Sequence, residues 1–388
     1  MASEIGMNSQ ALRTIVALLV LGAAQVTATP QSPPARQPTL PARLEAIRAA
    51  ANLPALAGAT FQSSGRPEAA AVGVRRLGDA TAVTADDLWH IGSLTKSFTS
   101  TLVGVFIERG QLAWTSTLGE LLGPEKAGKF AEVTLLDLLT HRAGLPANVS
   151  PIMRMALAQS TEPLPAQRKR VLDALLAGEP AAKPGERFLY SNAGYMLLGA
   201  VLEAKTGRQW EDLLRAEVLK PLALTSAGFG PPGNKDALTQ PRGHRGQPGS
   251  LVAVEPGPGA DNPAVLGPAG TLHMSVGDAA RWGQEHLRGE RGQNGLLRAA
   301  TFLRLHQPPR PDADYACGWV VRRDGGRRVI WHNGSNTMWY IILAFDPDAD
   351  RGVVLATNGG IGAAKPLDDA AMGWLKELAS AASLRKQE

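Results

Sequence analysis

The chain has a single cysteine, Cys317, in 388 residues. That excludes an internal disulfide and any metal site built on several thiolates. Its histidines and carboxylates show no metal-ligand spacing such as His-x-x-x-His. A block of like charge is also missing. The formal net charge is +5, but the excess is arginine scattered along the chain. Nothing there marks a nucleic-acid partner. There is no internal repeat, and 44% apolar with 19% charged residues is an ordinary globular composition. The apolar run Ile15 to Ala24 (IVALLVLGAA) is too short to span a bilayer comfortably.

That run reads instead as the core of a secretory signal. Arg13 precedes it, Val26-Thr27-Ala28 offers small residues for cleavage, and no cysteine follows for a lipid anchor. The expectation is a signal peptide over 1–28, a Pro-rich flexible lead-in over 29–41 and a periplasmic or secreted protein without a lasting membrane anchor. The rest, 42–388, is expected to be one domain. Its sheet lobe would come from 42–110 and 270–388, and its helical lobe from 111–269.

The hydrophobic pattern supports that division. Leu56 to Phe61 and Ala69 to Arg75 are strand-like runs joined by a turn-rich connection. Leu94, Phe98, Leu102, Val105 and Phe106 recur at helical spacing up to Gly110. Thr134 and Asp137 form a capping-box-like start, and Ser275 is a candidate N-cap. Further helices are expected near 165–177, 195–205, 210–218 and 367–382. Gly228 to Pro268 is dense in Gly and Pro, which predicts a long irregular functional loop. Four β-rich runs follow Cys317. Strands at both ends of the chain are most simply joined in one antiparallel sheet, an α+β arrangement.

Three constellations carry chemistry. Ser93-Leu94-Thr95-Lys96 sets a hydroxyl and an amine three residues apart, on one helical face. Serine needs a base to become a nucleophile. Lysine can be that base when burial or nearby positive charge lowers its pKa. The spacing alone says little, because Ser383 to Lys386 repeats it in the charged tail past the last expected helix. Tyr190-Ser191-Asn192 is the chain's one Tyr-x-Asn. Positive neighbours that depress its pKa would let Tyr190 relay a proton, and the Asn192 amide can hold Lys96 or a substrate carbonyl. Trp331-His332-Asn333-Gly334-Ser335 interrupts a β-rich run. Gly334 permits close approach, and the Ser335 N–H can pair with that of Ser93 as an oxyanion hole. Trp331 and Trp339 suit either an acyl pocket or the core, and His141 is expected to hold its turn.

In this order and at these spacings the motifs resemble the serine β-lactamase and penicillin-binding-protein superfamily, most of all its class C branch with the related esterases and D-amino-acid peptidases. Leu138 to Pro146 (LLTHRAGLP) and Gly267-Pro268-Ala269-Gly270 strengthen the resemblance, which runs from about Leu56 to Thr357. It implies an antiparallel sheet flanked by helices, an all-helical second lobe and a site in the cleft between them. It also implies a small-molecule ester, amide or β-lactam substrate and no cofactor, and leaves the oligomeric state open. Ser93, Lys96 and Tyr190 take the catalytic places. Asn192, His332, Gly334 and Ser335 take the substrate and oxyanion places. The third motif departs from the family's Lys-Thr-Gly: His332 is mostly neutral near pH 7 and Asn333 replaces a hydroxyl. That weakens the anchor for a substrate carboxylate and favours ester hydrolysis, with His332 available to polarise Tyr190.

Overall fold

The computed structural model describes residues 38–384, apart from 258 and 325. The expected signal peptide and nearly all of the lead-in lie outside the described residues. The first helix runs Leu40–Ala50 with Pro41 in its first turn, where a missing N–H costs nothing. It therefore begins inside the stretch expected to be a lead-in.

Eleven strands follow: β1 Ala55–Phe61, β2 Glu68–Gly73, β3 Leu88–His90, β4 Gly228–Phe229, β5 Gly243–Arg245, β6 Val252–Val254, β7 Leu272–Ser275, β8 Val320–Asp324, β9 Arg327–Gly334, β10 Tyr340–Asp346 and β11 Arg351–Thr357. Six of them form an antiparallel sheet in the order β2-β1-β11-β10-β9-β8. The first and last strands meet as the β1–β11 pair, with Leu56 opposite Thr357 and Phe61 opposite Gly352. β10 is buried at every position and β11 at all but Arg351. Their unbroken apolar runs are what central strands covered on both faces require.

One face is covered by Leu40–Ala50 and the terminal helix Ala364–Leu384, whose Leu44, Leu367, Ala371 and Leu375 pack on Leu56, Ile342 and Leu355. The other carries Val276–Glu290 and, behind it, Thr95–Glu108. Ser275 caps the former by accepting the Asp278 N–H at 3.2 Å. Thr134 and Asp137 close their capping box reciprocally. The terminal helix extends to Leu384, so Ser383 lies inside it rather than beyond it; Arg385 and Lys386 fall outside the described residues.

The Gly/Pro-rich stretch is more ordered than expected. β5 and β6 pair into a small hairpin, and β4 joins β3 and β7 in a three-stranded sheet. Strands of two or three residues are too short to leave a periodic signal. No described helix is long and apolar enough to cross a membrane.

Candidate active site

β3 leads into Ser93, the expected nucleophile. The Ile91 N–H donates to the Leu272 carbonyl of β7 at 2.9 Å, and the chain then turns through Gly92 at φ 47°. Ser93 follows in a single 3-10 turn, Gly92–Leu94, that runs into the helix Thr95–Glu108. A helix starting here leaves its first N–H groups unpaired and its positive end next to Ser93. Every residue from Thr95 to Phe106 is buried, so the turn is anchored in the core. Phe98 stacks on Trp282 with ring centroids 3.8 Å apart.

Lys96 is wholly buried. Its Nζ lies 3.0 Å from Ser93 Oγ, 2.8 Å from Asn192 Oδ1 and 2.8 Å from the Ala269 carbonyl oxygen. Burial pushes its pKa well below that of a free lysine. Three acceptors around one nitrogen fix the amine in place. The segment that carries this carbonyl is held one residue earlier, where Thr99 Oγ1 donates to the Pro268 carbonyl at 2.7 Å. Beneath it, Arg168 is buried and pairs with Glu203 and Glu211. The segment packs so closely on that cluster that a Cβ on Gly267 would sit 2.8 Å from Glu211 Oε1.

Asn192 opens the helix Asn192–Thr206, capped by Ser191, whose hydroxyl accepts the Gly194 N–H at 2.9 Å. Its Oδ1 faces Lys96, and its Nδ2 donates to Asn148 Oδ1 at 2.9 Å. Tyr190 precedes it, with the Lys96 amine 4.8 Å above its ring centroid. The sequence made a proton relay through Tyr190 conditional on positive neighbours that depress its pKa, and that condition is not met. Burial pushes Tyr190 up to about 12, opposed only by the Ser93 hydroxyl beside it.

His141 holds this segment to the preceding turn. At φ 58° it accepts the Ser191 N–H on Nδ1 at 3.1 Å, and its carbonyl accepts the Leu189 N–H at 2.8 Å. Its ring lies 4.3 Å from that of Tyr190.

The third motif ends β9. Because side chains alternate along a strand, His332 and Asn333 face opposite ways. His332 is buried on the site side, and burial, with the Lys96 charge second, brings its pKa down to about 3. Its Nδ1 contacts the Asn333 carbonyl oxygen, a group that only accepts, so the ring proton sits on Nδ1. Nε2 then accepts from the Tyr315 hydroxyl at 3.1 Å. His332 is thus committed to Tyr315 and does not polarise Tyr190 directly. Asn333 points to the outer face. Its Nδ2 donates to the Tyr340 hydroxyl at 2.6 Å and to Asp368 Oδ2 at 3.2 Å, on the face opposite His332.

Gly334 packs directly against the nucleophile turn: a Cβ there would lie 2.7 Å from the Ser93 nitrogen and 2.0 Å from the Ile91 carbonyl oxygen. A Cβ on Gly92 would lie 2.2 Å from the Ser335 nitrogen. Only two glycines allow this approach. The Ser335 hydroxyl donates to the Trp339 carbonyl at 2.5 Å and so braces its own turn. Trp339 is buried, edge-on to Trp89, and Trp331 lies on the outer face beneath Arg322. Both serve packing.

The structure therefore gathers Ser93, Lys96, Tyr190, Asn192, Gly334 and Ser335 at one place, with His332 behind them. Sequence reasoning missed Asn148, Tyr315 and the Ala269 carbonyl. A lone tyrosine or asparagine carries no local signal, and every residue has a carbonyl.

The family model described as Beta-lactamase matches residues 41–374. Penicillin-binding protein 4 of Amycolatopsis lactamdurans is 27% identical over 336 residues, covering 82% of this chain and 84% of that protein. The unguisins hydrolase ungD' of Aspergillus campestris (strain IBT 28561) is 24% identical over 292 residues, 72% of this chain; this chain spans 54% of that longer protein. Among solved structures, the octameric penicillin-binding protein homologue from Pyrococcus abyssi superposes with a TM-score of 0.72 at 23% identity, over 88% of this chain and 78% of that one. A class C β-lactamase from Rhodobacter sphaeroides gives 0.68 at 21% identity, over 86% and 98%. At these identities the structures bear on the fold, an antiparallel sheet flanked by helices as expected.

Proposed function

The chain belongs to the β-lactamase family and is a serine hydrolase of the β-lactamase and penicillin-binding type, and from that premise we propose that it hydrolyses small acyl esters through an acyl-enzyme on Ser93. The observation that carries this reading is the buried Lys96 amine 3.0 Å from Ser93 Oγ, with its pKa held low.

A neutral amine at that distance takes the Ser93 proton as Oγ bonds to the substrate carbonyl carbon. The carbonyl oxygen becomes an oxyanion, which the Ser93 and Ser335 N–H groups receive. Tyr190, protonated because its pKa is high, donates its proton as the C–O bond to the leaving alcohol breaks. The Lys96 ammonium returns a proton to Tyr190. Water then attacks the acyl-enzyme carbonyl as the neutral amine takes its proton, and the Lys96 ammonium gives that proton to Ser93 Oγ as the C–O bond to the serine breaks and the acid leaves. Asn192 holds Lys96 and faces the substrate.

The preference for esters rests on the third motif. His332 is neutral at any pH well above 3 and its Nε2 is occupied by Tyr315, while Asn333 faces the outer helix. The motif thus offers no fixed positive charge to a substrate carboxylate. A panel of short-chain p-nitrophenyl esters, nitrocefin and D-alanyl peptides tests this. The ester should be turned over fastest. Faster hydrolysis of nitrocefin would transfer the protein to the β-lactam-directed reading, and a faster D-peptide to the peptidase one. The hydrolase reading itself fails if a fluorophosphonate probe leaves Ser93 unmodified.

A further inference from the structure

No residue of the Gly/Pro-rich stretch between Gly228 and Ala264 enters the chemistry above. One of them, Asp261, nevertheless reaches both turns whose amides face the oxyanion. Its side chain is 6% exposed, and its Oδ1 lies 2.8 Å from Nε2 of the fully buried His90. The same oxygen accepts from Asn336 Nδ2 at 3.0 Å and from the Asn262 N–H at 2.6 Å. His90 accepts the Gly92 N–H on Nδ1 at 3.1 Å, which leaves the ring proton to Nε2; Nε2 packs against the carboxylate at 2.8 Å without the alignment of a hydrogen bond. Gly92 immediately precedes Ser93, and Asn336 immediately follows Ser335. On a third side, Asn262 Nδ2 donates to the Gly270 carbonyl at 2.9 Å, next to the Ala269 carbonyl that holds Lys96.

We propose that Asp261 is a positioning residue that fixes the spacing between the Ser93 and Ser335 amides, through His90 on one side and Asn336 on the other. The inference rests on the acyl-enzyme reading. The two amides belong to distant parts of the chain, and neither can set its own distance from the other. Contact between Gly92 and the Gly334-Ser335 segment stops the turns from approaching further, because backbone atoms already touch. Nothing in that contact stops them from separating. A carboxylate hydrogen-bonded to Asn336 and in contact with the His90 ring supplies the missing restraint, since pulling either turn away would remove a polar partner from a largely buried oxygen. The restraint matters because oxyanion stabilisation is steep in donor geometry. Losing one donor costs roughly 10²–10³-fold in rate, and a misplacement of about 1 Å costs on the order of 10²-fold.

A purely structural Asp261, one that merely anchors its loop, would alter stability or the yield of active protein and leave each surviving site unchanged. The test therefore counts sites. Asp261→Asn keeps size and an acceptor oxygen but removes the charge. Ester hydrolysis is measured per fluorophosphonate-titrated Ser93, together with inhibition by a boronic acid that forms a tetrahedral adduct on serine. The expected result is a ~10–100-fold fall in kcat/KM carried by kcat, and a boronate affinity weakened by the same factor. KM should stay within about threefold. Asn336→Ala, which severs only one arm, is expected to move both readouts in the same direction by less. Per-site kcat/KM for Asp261→Asn within about threefold of the native enzyme overturns the proposal. If that variant does not fold, Asn336→Ala decides it by the same criterion. Native enzyme inert to both ester and fluorophosphonate would instead defeat the hydrolase reading, before any variant is compared.

Discussion

Ser93 and Ser383 stand in the same four-residue pattern but at opposite ends of two helices. Ser93 sits at the N-terminal end of Thr95–Glu108, where N–H groups and positive potential gather. Ser383 sits in the last turn of Ala364–Leu384, where carbonyls and negative potential gather, and its hydroxyl donates back to the Ala379 carbonyl at 3.1 Å. The helix behind Ser93 is buried from Thr95 to Phe106, whereas Ser383 is exposed beside a Leu384 that is 66% exposed. A hydroxyl near a C-terminal end faces the wrong sign of potential for a developing oxyanion. The comparison separates the pattern, which is common, from the two conditions that turn it into a site: the N-terminal end of a helix, and burial of the amine.

The largest expected effect breaks the comparison outright. Ser93→Ala should lower ester turnover by about 10⁴-fold or more and abolish fluorophosphonate labelling. Ser383→Ala should change neither, and labelling that followed Ser383 instead would invert the assignment. Lys96→Arg comes next. It carries a permanent charge and cannot supply a neutral base, and a loss of roughly 10³-fold in kcat/KM is expected. In the native enzyme kcat/KM should rise with pH as the lowered Lys96 amine sheds its proton, then fall only as Tyr190 approaches about 12. A rate that declined between about pH 7 and 9 would exclude Lys96 as the base.

Smaller effects sharpen what burial does around Ser93. His332 titrates near 3 in the folded chain against an ordinary 6.5. The unfolded chain therefore takes up a proton first. Stability is full above the unfolded value and is lost as pH falls from about 6.5 toward 3. Melting curves should show His332→Gln losing Tm less steeply than the native protein over that window, and equal slopes would contradict the assignment. Asn333→Ala is the smallest. It removes the amide from Tyr340 and Asp368, for about 1–3 kcal/mol of stability by denaturant titration, and kcat/KM should not move. A fall in kcat/KM would return Asn333 to the substrate side.

Much of the fold was legible because its signals are local. The capping box at Thr134, the N-cap at Ser275 and the apolar runs of β10 and β11 each act within a few residues. The joining of the terminal strands followed from their positions in the chain. The β5–β6 hairpin was not legible, since its three-residue strands leave no period. Nor was the helical place of Ser383, because charged ends read as tails whether or not the helix has stopped. In the site, Ser93 and Lys96 were readable as a pair because helical spacing makes them neighbours. Tyr315, Asn148 and Asp261 were not, because each acts on a partner far away in sequence.

The sequence by itself determined which groups could meet within a turn or a strand: the hydroxyl and amine at i and i+3, the capped helix that begins at Asn192, and the glycine that ends β9. Only the tertiary structure decided what those groups became. Burial lowered Lys96 and raised Tyr190, which suits them to the proposed parts of proton acceptor and proton donor. The pleat of β9 sent His332 toward Tyr315 and Asn333 toward Asp368. Hydrogen bonds within a turn depend on spacing that the chain carries with it. A pKa depends on everything that excludes water around a group, and that exists only once distant segments have packed.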